Sequence, residues 1–396
     1  MKLSNRVNSL TESQTLAMAK KSRELQAQGI DIISLSIGEP DFNTPDFIKE
    51  AAKKAIDENY THYTPVPGFL ELREAIAIKL KRDNNLDFKA ANIVVSTGAK
   101  QSLANVFLSL IDEGDEVIVP TPYWVSYSDQ IKLAGGTVKY IHTSVDNDFK
   151  FTAQEFQESI SSKTKMIIFS SPCNPTGSLY SKEELEAIAN VLANYPNIYC
   201  VSDEIYELIN FAGRHESIAQ FEKIKDQVVV VNGVSKGFAM TGWRIGYIAA
   251  ALPIAQACEK MQGQFTSGTC SVAQRASIAA MLAEPSVTYT MREAFKKRRD
   301  LVLNLLAEIK GLKCNIPQGA FYVFPDITSF FGKSYNGTVV KNSYDMSMYL
   351  LNEAHVAVVA GEAFGDNNCI RLSYATSDDK LIEAIKRLKS ALEKLN

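Results

Sequence analysis

The stretch VVVVNGVSKGFAMTGWRIGYIAA, residues 228–250, decides the fold. Val228–Val231 and Ile245–Ala250 are short apolar runs, the pattern of strands buried on both faces. Only residues 232–244 separate them, and Gly233, Gly237 and Gly242 break that connection. A parallel neighbour needs a crossover of about a dozen residues or more, usually a helix. This one is too short and too broken for a comfortable crossover helix, so the second run is predicted to lie antiparallel to its neighbours.

Working towards the N-terminus, five more runs read as strands: Ile93–Ser96, Glu116–Val119, Val138–Ile141, Met166–Phe169 and Ile198–Val201. Helical patterns separate most of them, including Gln101–Leu110 and Glu183–Ala193. Alternating strands and helices predict an α/β fold: a mostly parallel seven-stranded sheet with one antiparallel strand, covered on both faces. Before it, Asp46 is expected to cap a helix ending near Asn59, and Leu72, Ile76 and Leu80 place a helix over about Phe69–Arg82. After about Val287 the pattern changes. A basic helix, Arg292–Ile309, precedes short strands near Ala320–Phe324 and Val356–Val359 and a last helix from about Ser377. This tail is expected to join an N-terminal helix near residues 11–28 in a smaller α/β domain. The expected division is 1–45, 46–286 and 287–396, with the middle segment as the large domain.

In open α/β sheets ligands bind beyond the carboxyl ends of the strands. Gly98, Ala99 and Lys100 follow the first strand, and Trp124 follows the second. Asn174 lies in Pro172–Gly177, Asp203 and Tyr206 in Ser202–Tyr206, and Ser235, Lys236 and Arg244 in the stretch quoted above. Each has an ordinary reading alone, as a turn, a cap or a surface charge. Their common position at one sheet edge points to a cofactor with a phosphate, an aromatic ring and an electrophilic carbon. Gly98 and Ala99 would offer backbone N–H groups at a helix N-terminus to the phosphate, with Ser235 and Arg244 adding side-chain donors. Trp124 would stack on the ring. Asp203 would hold a protonated ring nitrogen, and Asn174 and Tyr206 would bond a ring oxygen. Lys236 would be the nucleophile, its amine activated by nearby positive charge and partial desolvation.

Composition narrows the class. With 396 residues, 46% hydrophobic and 22% charged, the chain suits a soluble globular protein with a sizeable core. A net charge of −3 gives no field favouring nucleic acid or an anionic membrane, and neither partner is expected. The charged clusters Lys20–Lys21, Lys79–Arg82 and Lys296–Arg299 read as solvated helix faces. Six scattered cysteines without C-x-x-C pairs or nearby histidines predict reduced thiols, no metal and a cytoplasmic location. Met1–Leu10 has no apolar signal-peptide core, and no apolar run is long enough to span a membrane. No G-x-G-x-x-G follows a first strand, which argues against a nicotinamide enzyme.

Four motifs, in order, carry a resemblance over essentially the whole chain. They are Asn174–Gly177, Ser202–Tyr206, Ser235–Tyr247 and Ile370–Ala375. With them the sequence resembles class I aminotransferases of fold type I, and most closely the bacterial and archaeal aspartate aminotransferase subgroup. The resemblance implies pyridoxal 5'-phosphate as cofactor, carried by Lys236, and amino acid and 2-oxo acid substrates, most simply aspartate and 2-oxoglutarate. It implies that Arg371 clamps the substrate α-carboxylate and that Gly38 approaches it through the backbone. Tyr63 would reach the phosphate of the other subunit, making a homodimer with shared active sites. Residues Gln264–Ser271 offer hydroxyls and no basic side chain for a second carboxylate. Lys100 would read it instead, with Ser13 and Thr15 closing over it. The alternatives are a broader enzyme that accepts prephenate, a carbon–sulfur β-lyase, and a non-catalytic regulator on the same fold. The last would need a DNA-binding module, and only about 45 residues precede the large domain.

Overall fold

The computed structural model describes residues 3–11 and 14–396; the side chains of Thr15 and Leu16 lie outside the described set. Seven strands form the main sheet: β1 (Ile93–Ser96), β2 (Glu116–Thr121), β3 (Thr137–His142), β4 (Thr164–Ser170), β5 (Tyr199–Asp203), β6 (Val228–Gly233) and β7 (Gly246–Ala249). Their order is β1-β7-β6-β5-β4-β2-β3. β7 is antiparallel to both β1 and β6, and the remaining pairs are parallel. The glycine-broken connection therefore does what its length and composition predict.

Successive side chains of a strand point to opposite faces. Val95, Ile167, Cys200, Val230 and Tyr247 enter one core, beneath the helices Leu70–Asn84, Lys182–Leu192 and Ser271–Leu282. Their neighbours Val94, Met166, Val201, Val231 and Ile248 enter the other, beneath Ala99–Leu110 and Leu252–Phe265. Two covered faces explain why the strands read as unbroken apolar runs. A separate core lies in the C-terminal third. There Ile33–Ser34 pairs with Val356–Ala357, while Ile370–Ser373 lies between Val359–Ala360 and Tyr322–Val323. The helices Tyr289–Ala307 and Asp378–Leu392 pack on this core.

Three local expectations need correction. Pro45, not Asp46, holds the N-cap position of the Asp46–Asp57 helix; Asp46 lies in its first turn and pairs with Lys49 at 2.5 Å. The apolar stretch Val356–Val359 is not one strand. It breaks at Val358, and the two halves serve different sheets. Two charged clusters are also not fully solvated. Arg299 is buried and donates to the Pro317 carbonyl at 3.0 Å. Lys79 is only 2% exposed, and its ammonium bonds Glu207 and, at 2.8 Å, Asn84.

Asn84 also donates to the other Glu207 oxygen at 2.8 Å, so that carboxylate is held from two sides. Beside it, His215 Nε2 lies 3.0 Å from Glu204 Oε2. Burial alone would push the imidazole pKa down, but the Glu204 carboxylate, with Glu207 beyond, raises it above its usual value. The stability this contributes is complete below about pH 6.5 and is lost as pH rises through the raised pKa. Lys79→Met would leave Glu207 buried without its ammonium. It is expected to cost about 3–5 kcal/mol in chemical denaturation, and a Lys79→Met/Glu207→Leu double variant should recover most of that. A single-variant loss below about 1 kcal/mol would show that the ammonium does not compensate the carboxylate.

Candidate active site

A cavity of about 270 Å³ opens at the carboxyl ends of β4, β5 and β6 and at the start of the helix after β1. Its lining includes Gly38, Ala99, Lys100, Trp124, Asn174, Asp203, Tyr206, Ser235, Lys236, Arg244 and Arg371, all singled out from sequence.

One corner of the cavity brings a helix N-terminus against a guanidinium. Gly98 has φ +81° just before the Ala99–Leu110 helix, and a Cβ there would collide with the Arg244 guanidinium. Gly246 on β7 lies so close to Ala99 that a Cβ would strike its backbone nitrogen. These two glycines let the helix N-terminus and Arg244 approach each other. Arg244 has a left-handed backbone, φ 58°, and its guanidinium donates to the carbonyls of Thr241 at 2.8 Å and Thr97 at 3.3 Å.

Opposite this corner lie an amine and a carboxylate. The partly buried Lys236 Nζ donates to the Gly38 carbonyl at 2.5 Å. Burial, with the charges of Arg371 and Arg244, pulls its pKa down to about 8. Asp203 ends β5 and is 4% exposed; burial pushes its carboxyl up to about 6. Its Oδ2 accepts a 2.6 Å bond from the Tyr127 hydroxyl, and its Oδ1 a 3.3 Å bond from the Ile205 amide. Among the described residues it has no salt-bridge partner.

A second guanidinium sits in the wall. Arg371, on the Ile370–Ser373 strand, is buried, with Nη1 donating to Asn174 Oδ1 at 3.0 Å and Nη2 to the Ser36 carbonyl at 2.7 Å. Its guanidinium packs 4.5 Å from the Tyr322 ring centre, and its Nε is buried without a hydrogen-bond partner among the described residues. Tyr206 shares a 2.8 Å hydroxyl contact with Tyr322. A Cβ on Gly38 would press on the Tyr322 hydroxyl, so glycine keeps that backbone close to the cavity. Lys100 Nζ lies 5.1 Å from the Trp124 ring centre, and burial together with Arg244 lowers its pKa.

Some residues do not join them. Tyr63 is fully exposed and lies outside this chain's cavity. Ser13 lies outside the described residues; Thr15 is on the Gln14–Ala27 helix, but its side chain also lies outside the described set. Sequence reasoning missed the lining residues Tyr127, Ser170, Ile205, Thr241 and Tyr322. Ser170 ends β4, and Tyr127 lies three residues after Trp124 near a helix start, so both had a local signal. Tyr322 had none, because it arrives from the C-terminal core.

The sequence matches the family described as aminotransferase class I and II over residues 30–388. The chain belongs to the class I and II aminotransferases. Among similar proteins, this aminotransferase is 46% identical over 396 residues to an aspartate aminotransferase of Bacillus subtilis, covering 100% of both chains. It is also 46% identical over 392 residues to a probable aspartate/prephenate aminotransferase of Rickettsia felis, covering 98% of this chain and 96% of that one. The crystal structure of the aspartate aminotransferase from Rhizobium meliloti superposes with a TM-score of 0.97 at 39% identity, over 100% of both chains. A Thermus thermophilus aspartate aminotransferase solved with maleate gives 0.93 at 39% identity, over 99% of this chain and 100% of that one.

Proposed function

We propose that this aminotransferase holds pyridoxal 5'-phosphate in the cavity and moves the amino group of aspartate to a 2-oxo acid, foremost 2-oxoglutarate. The observation that carries the reading is one cavity containing both an amine of depressed pKa, Lys236, and the buried carboxylate of Asp203, which has no salt-bridge partner among the described residues. The residues present fit that cofactor. A protonated ring nitrogen would supply the cation Asp203 lacks. Arg244 and the helix N-terminus at Ala99 suit a phosphate ester, with Ser235 beside them. When bound, the cofactor supplies an aldehyde that links covalently to amines and a ring that delocalises the electrons left when a substrate Cα–H bond breaks.

The chain's own residues do the rest. Lys236 would hold the cofactor covalently and give up that place to the substrate amine; as the freed amine it would take the proton from substrate Cα and deliver it to the cofactor's former aldehyde carbon, not back to Cα. Arg371 presents a planar fork to the α-carboxylate, aimed by Asn174 and the Ser36 carbonyl. Asn174 and Tyr206 would hold the cofactor's ring oxygen, and Trp124 would lie against its ring. Two half-reactions follow one another, giving ping-pong kinetics. In this reading Tyr63 completes the site of a second subunit in a cytoplasmic homodimer. Residues 46–286 make the cofactor-binding domain, and the smaller one is drawn from 287–396 and part of the segment 1–45, the rest of which is an N-terminal arm.

A dicarboxylate needs a second cation besides Arg371, and Lys100 is the one in the cavity wall beside Trp124. Lys100→Ser is expected to cut kcat/KM on aspartate and glutamate by roughly 10–100-fold, about 1.4–2.8 kcal/mol, with little change on aromatic or aliphatic amino acids. Because the Lys100 pKa is lowered, the wild-type preference for acidic substrates should also fade as pH rises through it. Equal losses on acidic and neutral substrates would assign Lys100 to the cofactor or the fold. Prephenate as an alternative acceptor is supported by relatives named for it and by a further cavity of about 380 Å³ beyond Lys100. A screen of half-reactions, following the cofactor's absorption with each amino acid and 2-oxo acid, separates the two.

A further inference from the structure

We infer that Tyr127 is the positioning residue of the carboxylate at the cavity floor: its hydroxyl fixes Asp203 Oδ2 and holds Asp203 ionised for a cationic ring nitrogen. This rests on the cofactor reading above and adds to it a residue that no motif singled out. The geometry is specific. The 2.6 Å contact between Tyr127 and Asp203 Oδ2 is in the range of an O–H donor facing an ionised acceptor. The backbone bond to the other oxygen, Oδ1, is long at 3.3 Å. One oxygen is therefore pinned, and Oδ1 is left with capacity for a second donor.

Tyr127 is itself immobilised. Its side chain is 1% exposed and meets the Trp124 indole edge-on, with ring centres 5.6 Å apart. The indole and Tyr127 thus leave one short helix start together, one lining the cavity wall and the other reaching its floor. Burial raises the Tyr127 pKa well above its usual value, so the phenol stays neutral and donates.

The electrostatics show why a donor is needed. The titratable groups facing Asp203 are Tyr127, Cys173, Glu204, Tyr206 and Lys236. Burial drives Asp203 towards protonation, and the Glu204 charge adds to that. The bonds from Tyr127 and Ile205 oppose it, as does the Lys236 charge. Lys236 is a poor permanent counter-ion, because in the proposed reaction its amine is consumed and released in each cycle. Tyr127 supplies a donor that persists throughout.

The test is the Tyr127→Phe holoenzyme beside wild type, Asp203→Asn and the double variant. Tyr127→Phe is expected to weaken pyridoxal phosphate binding about tenfold and to move the acid limb of the kcat profile up by about one pH unit. The basic limb and the KM for aspartate should change little, since Lys236 and Arg371 are untouched. In the Asp203→Asn background the same change should cost almost nothing further, because its partner charge is already gone. A purely structural tyrosine would lower thermal stability without moving the acid limb, and would cost the same in both backgrounds. Either of those results overturns the inference, and so does a Phe variant that matches wild type in affinity and profile. If Tyr127→Phe does not fold, Tyr127→Gln, which retains a donor, should fold and keep the wild-type acid limb, and a shifted limb there counts against the inference. A wild-type protein that takes up no pyridoxal phosphate sinks the cofactor reading itself. A loaded wild type with an unaffected Tyr127→Phe sinks the role of Tyr127 alone.

Discussion

Lys236→Ala should abolish amino-group transfer, with a loss of at least about 10⁴-fold in kcat, or more than about 5.5 kcal/mol in barrier. The loss would be large because one amine is proposed to fill two roles, covalent partner of the cofactor and carrier of the Cα proton. Borohydride should fix pyridoxal phosphate irreversibly to wild type and not to the variant, which would hold it without a covalent bond. Cofactor fixed to the variant would move the covalent link to another residue. The cofactor-free protein offers a second measurement. Lys236 has a folded pKa near 8 against a usual 10.5, so the unfolded chain binds the proton more tightly. Wild-type stability is therefore penalised fully below pH 8 and recovers as pH rises from 8 towards 10.5. Alanine carries no such penalty. Its advantage in denaturation should be largest near neutral pH and shrink as pH rises across that window; a gap that widened would contradict the depressed pKa.

What could be read from sequence was whatever depends on near neighbours along the chain. Val94 and Val95 alternate between two cores, and the run looks apolar because both faces are covered. The turn of β7 against its neighbours followed from a connection too short and too glycine-rich to cross the sheet. Polar residues at strand ends, from Gly98 to Arg244, were visible because the βα pattern sends those ends to one edge. What stayed hidden depends on distant partners. Lys79 looks like one charge in a solvated helix face until Glu207, far along the chain, closes on it. Val356–Val359 reads as one strand because apolarity does not show that the chain changes sheets at Val358. Tyr322 and Tyr206 meet only because the C-terminal core packs against the end of β5. A tyrosine in an apolar stretch carries no mark of that contact.

Asp203→Asn should fold normally and lose about 10²–10³-fold in kcat, roughly 2.7–4 kcal/mol, the scale on which removing one preorganised electrostatic group acts. The amide matches the carboxylate in shape, and Tyr127 can still donate to its oxygen. It lacks the negative charge that keeps a ring nitrogen protonated, so electrons released at substrate Cα would be drawn off poorly. The fold should not suffer, and linkage gives the sign. The Asp203 carboxyl is held near 6 in the folded protein against 3.8 as a free group, so the folded state takes up the proton more readily. Its ionisation costs stability as pH rises from about 3.8 to 6, and the cost stays constant above that. The cofactor-free Asn variant should therefore be at least as stable as wild type at pH 8, and this advantage should fade on acidification towards pH 4. The decisive comparison is the rate of a single half-reaction with aspartate, measured at saturating cofactor so that weakened binding does not enter. A variant that runs it within about threefold of wild type would show that Asp203 only fills the cavity floor, since an electrostatic stabiliser cannot be removed so cheaply.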